Sequence, residues 1–246
     1  MSRSKKSIKN LIAAIVGQSF GLIISFLSRI IFIRFLGTKY LGLNGLFSNI
    51  LSVLSLAELG IGEAITFSLY KPLSKKNIKE CQMIMQFYRK VYTIIGIFVL
   101  IVGIGITPFL KYLISDKTGL NSINLIYILF VINSSISYFF SYKRNLIIAD
   151  QNRYIATIYR YSFYFLLNIA QIAYLVIFKD YIGFLVIQIL FTILENISVS
   201  RKADKMYLFL KNKKKIPLDK GTRKTIVKNT KAMLMHKIGG IIVSST

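Results

Sequence analysis

Residues 11–33 read LIAAIVGQSFGLIISFLSRIIFI, an almost uninterrupted apolar run whose one charge is Arg29. A helix needs about 20 mostly apolar residues to cross the hydrocarbon of a bilayer, and this run is long enough. It exceeds a signal-peptide core and ends without a small-residue cleavage site, so it reads as a retained membrane span. Five further stretches have the same character, at 43–69, 91–112, 123–142, 155–178 and 181–199. A seventh begins near Lys231 and is still running at Thr246. The expected fold is all-α: a polytopic membrane helical bundle of six spans and the start of a seventh, with 1–200 as the six-helix lobe, 201–229 as a basic linker and 230–246 as the first helix of a second unit.

Composition agrees. Of 246 residues 54% are hydrophobic and 17% charged, against about 25% charged in soluble domains. The net charge of +24 would suggest nucleic acid on a soluble chain, but its distribution gives another reason for it. With the N-terminus in the cytoplasm, the inside segments and the span ends adjoining them hold 27 of the 33 Lys and Arg, the outside segments and their adjoining span ends five, and Arg29 lies deeper within a span. Basic residues accumulate on the cytoplasmic side of inserted loops, so the charge is topological and no nucleic-acid partner is needed. The run 211–215 and its neighbours are suited to anionic lipid headgroups.

Enzyme chemistry finds little support. Cys81 is the single cysteine and His236 the single histidine, too few for a disulfide or a zinc site. No GxSxG, GxxxxGK[ST] or GxGxxG occurs, so no cofactor and no catalytic residue is expected.

Polar side chains in hydrocarbon are costly and turn toward the bundle or a water-filled cavity. At helical spacing the first span carries Gln18, Gly21, Ser25, Ser28 and Arg29, and the second Asn44, Ser48, Ser52, Ser55, Glu58 and Gly62. The fourth carries Asn133, Ser137, Ser141 and Arg144, the fifth Tyr161, Tyr164, Asn168, Gln171 and Tyr174, and the sixth Gln188, Thr192, Glu195 and Ser198. Only the third, 91–112, lacks such a stripe, which places it at the periphery. Serines can simply glue helices together, but five stripes with amides, tyrosines and charges suggest a hydrophilic passage. Arg29 can either snorkel or hold an anionic phosphate through bidentate hydrogen bonds; Ser25, Gln18, Asn168 and Gln171 are candidates for sugar hydroxyls. Glu58 and Glu63, amid Gly60 and Gly62, are candidates for cation coupling, with an internal ion pair to a base such as Lys71 as the plain alternative. Glu195 has Arg144 or Arg201 as a prospective partner.

Three segments carry a resemblance: FLGTKYLGLNGLF at 35–47, LSLAELGIGEAITFSLYKPL at 54–73 and SYFFSYKRNLIIADQNRY at 137–154. Together they resemble the oligosaccharide flippases of bacterial capsule, exopolysaccharide and O-antigen synthesis, in the superfamily that includes the MATE multidrug exporters. The resemblance implies two six-helix lobes facing a cavity that opens alternately to either side. It implies turnover of an undecaprenyl-pyrophosphate-linked oligosaccharide across the bacterial cytoplasmic membrane, with cavity arginines near the pyrophosphate, and Arg29 is the residue comparable to these. On this reading the chain corresponds to one lobe, its partners are the lipid-linked oligosaccharide, membrane lipids and a polysaccharide polymerase or assembly complex, and it is not an enzyme. The first span lacks the acidic residue many MATE exporters use, which weighs against the alternative of a MATE-type multidrug/cation antiporter. A membrane enzyme of polysaccharide assembly is the more distant alternative.

Overall fold

A computed structural model describes residues 3–55, 58, 60–114, 122–212, 216–217 and 220–244, with side chains throughout except at 3–5, 220, 233–234 and 236–244. Lys117, the basic run at 213–215 and the side chain of His236 lie outside the described residues. The described residues are 92% helical, and no strand occurs among them. Among the described residues nine α-helices follow in order: α1 (Arg3–Leu36), α2 (Thr38–Ser55), α3 (Ile61–Ser74), α4 (Ile78–Ile106), α5 (Leu110–Leu113), α6 (Ile123–Ala149), α7 (Arg153–Phe178), α8 (Tyr181–Met206) and α9 (Lys220–Ser244). A 3-10 turn at Thr107–Phe109 joins α4 to α5, and together they form one long apolar stretch. Among the described residues five stretches are long and apolar enough to cross a membrane: Lys6–Leu36, Ile78–Leu113, Ile123–Ala149, Arg153–Phe178 and Tyr181–Met206. The chain is an all-α membrane helical bundle.

Helix boundaries follow local chemistry. α1 stops at Gly37, whose φ of 84° is the left-handed conformation glycine adopts without a Cβ penalty. α4 is capped by Asn77, whose Oδ1 accepts from the Glu80 amide at 3.2 Å while its Nδ2 donates to the Glu80 carboxylate at 2.9 Å. Asp180 caps α8, accepting from the amides of Ile182 at 3.2 Å and Gly183 at 2.7 Å. Such caps satisfy amides that the first helical turn leaves without partners.

Two apolar clusters hold the bundle. One joins Phe32, Phe47, Leu110, Tyr127, Tyr181 and Phe184, with Phe32 edge-on to Tyr181 at 5.5 Å and to Phe184 at 5.3 Å. The other joins Ile65, Met85, Tyr88, Leu146, Ala203, Tyr207 and Ile226. Polar ties join the basic segments at that second end. Lys6 Nζ donates to the Asp150 carbonyl at 3.0 Å, Asn10 donates to the Gln151 carbonyl at 3.1 Å, and Asn10 Oδ1 accepts from the Tyr154 amide at 2.6 Å. Tyr207, just beyond α8, donates to the Asp150 carboxylate at 2.9 Å; burial, with that carboxylate beside it, pushes its phenol pKa up.

Three expectations are corrected. The stretch 43–69 is not one helix: α2 ends at Ser55, α3 begins at Ile61, and Gly60 between them has a φ of 75°. The third span is not peripheral. α4 runs against α6 through glycines that let the backbones approach, Gly96 facing Phe139 and Gly103 facing Val131, and it buries Tyr88, Tyr92, Ile95 and Val99. The helix at the edge is α1, with Leu22 66% and Phe26 67% exposed. Finally, α8 runs on to Met206 and α9 starts at Lys220, so helices enter the expected linker from both sides. Asp204, paired with Lys143 of α6 at 2.7 Å, helps hold the extended end of α8.

Candidate functional site

The junction of α2 and α3 gathers polar groups deep in the bundle. Glu58 stands between the two helices, and its Oε1 accepts a hydrogen bond from the Tyr92 hydroxyl of α4. Asn145 of α6 donates to that same hydroxyl at 3.2 Å. One turn away, the Tyr88 hydroxyl donates to the Gly62 carbonyl and lies 3.1 Å from the Thr66 hydroxyl. The rings of Tyr88 and Tyr92 stack at 5.6 Å, and Tyr138 of α6 continues the stack at 6.5 Å from Tyr92. Gly62 is required here, because a Cβ at that position would collide with the Tyr92 hydroxyl. Glu63, the other expected coupling residue, lies in the first turn of α3 and is exposed.

A second polar group links α6 and α8. Arg144 Nη2 donates to Glu195 at 2.5 Å and to Asn196 at 3.3 Å, which selects Arg144 over Arg201 as the partner of Glu195. The pair is about three-quarters buried on the arginine side and four-fifths on the glutamate side, with 27% and 19% of the side chains exposed. Both residues lie within stretches able to cross a membrane.

The expected binding residues do not converge. Asn168 is buried but donates to the Tyr164 carbonyl of its own helix at 2.7 Å, and Gln171, also buried, donates to the Phe184 carbonyl of α8 at 3.1 Å. On α1 the expected stripe divides. Gly21 and Gly17 meet the Tyr161 ring of α7, whereas Gln18, Ser25 and Arg29 are exposed beside that seam. Arg29 forms no ion pair among the described residues.

No family model, curated protein or solved structure matches this chain.

The serines follow the plainer account. Ser135, Ser137 and Ser141 donate to carbonyls four residues back on α6, and Ser52 and Ser55 to carbonyls three residues back on α2. Such bonds satisfy a hydroxyl within its own helix. Tyr88, Tyr92 and Asn145 are the participants that sequence reasoning missed. Their signal was present as Tyr88, Tyr92 and Gly96 at steps of four on α4, one face of a helix.

Proposed function

We propose that the chain is a unit of a bacterial flippase that translocates an undecaprenyl-pyrophosphate-linked oligosaccharide across the cytoplasmic membrane, with its N-terminus in the cytoplasm. The observation that carries this reading is the exposed polar edge of α1, where Gln18, Ser25 and Arg29 lie uncovered on a helix long and apolar enough to cross a membrane. Hydrocarbon is a poor environment for a guanidinium and an amide, so this edge suits a hydrated route that further helices complete. Arg29 holds the pyrophosphate through charge-assisted hydrogen bonds, while Gln18 and Ser25 meet sugar hydroxyls. The resemblance at 35–47, 54–73 and 137–154 supports the substrate class.

The test is Arg29→Ala in the host's own gene. Loss of charge-assisted bonds, each worth about 1.5–3 kcal/mol, lowers polymer export about tenfold or more, and lipid-linked repeat units accumulate on the cytoplasmic leaflet. Arg29→Lys keeps part of the activity. Normal export by Arg29→Ala, at normal protein level, overturns the assignment.

A MATE-type cation-coupled antiporter is the second reading, favoured by Glu58 at the α2–α3 junction under the Tyr92 hydroxyl. A carboxylate held within a membrane bundle is a place for a proton or monovalent cation to bind. Unaltered surface polysaccharide together with drug sensitivity in a deletion strain selects this reading over the first.

A further inference from the structure

A sizeable cavity lies away from both polar clusters, at the end of the bundle where the basic segments gather. It encloses about 1180 Å³ between α4, the end of α6 and the segment leading from α8 into α9. Two glutamines one turn apart on α4 build its far wall. Gln82 Nε2 donates to the Asn212 carbonyl at 3.2 Å, and Gln86 Oε1 accepts from the Ile216 amide at 3.0 Å, so Asn212 and Ile216 are tied to α4. The walls are thioether, aromatic and aliphatic: Met83, Phe87, Tyr142, Phe209 and Ile216.

Four cations from three elements line the same space: Arg89 and Lys90 of α4, Lys143 of α6 and Arg223 of α9, with no carboxylate among the lining residues. Lys143 is neutralised by Asp204. Arg89, Lys90 and Arg223 are exposed and form no ion pair among the described residues. From this cluster the cavity reaches Ile94, and the surface of α4 continues as exposed Ile94, Phe98 and Ile101. Cations at one end and a bare apolar track leading from them form the complement of an anionic amphiphile. A soluble phosphate would use the cations and leave the track uncovered.

We propose that this cavity is a binding site for an acidic phospholipid. Arg89, Lys90 and Arg223 hold its phosphate, and its acyl chains lie along Met83, Phe87, Ile94 and Phe98. Because Arg223 belongs to α9 and Arg89 and Lys90 to α4, a bound phosphate bridges the two and fastens the connecting segment to the bundle. This inference rests on the chain being membrane-embedded and is independent of what it transports.

The purified intact protein in neutral detergent is titrated with phosphatidylglycerol, phosphatidylcholine or inorganic phosphate, followed by thermal unfolding and by native mass spectrometry of retained lipid. Phosphatidylglycerol raises the melting temperature and is retained, and the other two do neither. The triple variant Arg89→Gln/Lys90→Gln/Arg223→Gln binds phosphatidylglycerol at least about tenfold more weakly, each surface cation contributing on the order of a fewfold. A control variant, Lys71→Gln/Lys75→Gln/Lys76→Gln, loses the same charge from the last turn of α3 and the α3–α4 turn and binds as wild type. Arg223→Gln alone, on an exposed first turn, gives an intermediate loss and serves if the triple variant does not fold. Equal stabilisation by phosphatidylcholine, competition by inorganic phosphate, or an equal loss in the control variant overturns the proposal.

Discussion

Arg144 of α6 and Glu195 of α8 meet at 2.5 Å between two helices able to cross a membrane, so a charge on each is cancelled by the other where water is scarce. Removing one partner leaves the other charge partly buried and uncompensated, at a cost near the lower end of the roughly 3–5 kcal/mol seen for buried pairs. Glu195→Leu is therefore expected to lower the melting temperature in detergent sharply. Arg144→Met/Glu195→Leu together recover most of the loss, since no lone charge remains. A double variant as unstable as the sum of the singles would refute a direct coupling between the two.

The α4–α6 contact depends on a missing side chain. A Cβ at Gly103 would lie 2.6 Å from Val131 Cγ1 and 3.0 Å from its Cγ2, and a β-branched valine has few rotamers with which to yield. Gly103→Ala is expected to destabilise the protein by about 1–3 kcal/mol, the usual range for overpacking. Val131→Ala added to Gly103→Ala restores part of that stability, although it is destabilising by itself; thermal unfolding of all four proteins checks the cycle.

Orientation is open to labelling, because Cys81 is the single cysteine and is buried. In a Cys81→Ser background, Lys75→Cys and Lys179→Cys each place one thiol at an exposed position, on opposite sides in the proposed topology. A membrane-impermeant maleimide is expected to label Lys179→Cys in intact cells, and Lys75→Cys only after the membrane is opened. The reverse pattern would invert the topology and remove the positive-inside argument.

Much of this architecture is legible in the amino-acid order, and the failures have identifiable causes. Hydropathy locates α1, α4, α6, α7 and α8, because burial in lipid demands long apolar runs whatever the tertiary fold. The lack of a polar stripe misplaces α4, because a helix without one can still be interior. What brings α4 inside is the absence of side chains at Gly96 and Gly103 and the hydroxyls of Tyr88 and Tyr92. The interruption of 43–69 was foreshadowed by Gly60 and Gly62, but glycine is common in membrane helices. Here the Tyr88 and Tyr92 hydroxyls, from the next helix along the chain, meet the Gly62 carbonyl and Glu58 at the junction. Of the expected binding residues, Asn168 and Gln171 spend their amide donors on backbone carbonyls. Periodicity reports the face a side chain occupies and is silent on its partner.

The helix break at Gly60 also bears on how the bundle handles force. An unbroken rod over 43–69 would carry any displacement at one end to the other. Instead α2 is lodged by Leu43, Phe47 and Leu51 in the cluster around Phe32 and Tyr127, while α3 is lodged by Ile65 and Leu69 in the cluster around Tyr88 and Tyr207. The two extremities of the molecule are therefore not joined by a single rigid rod along this stretch, and the junction is instead braced from the side by Tyr92 of α4.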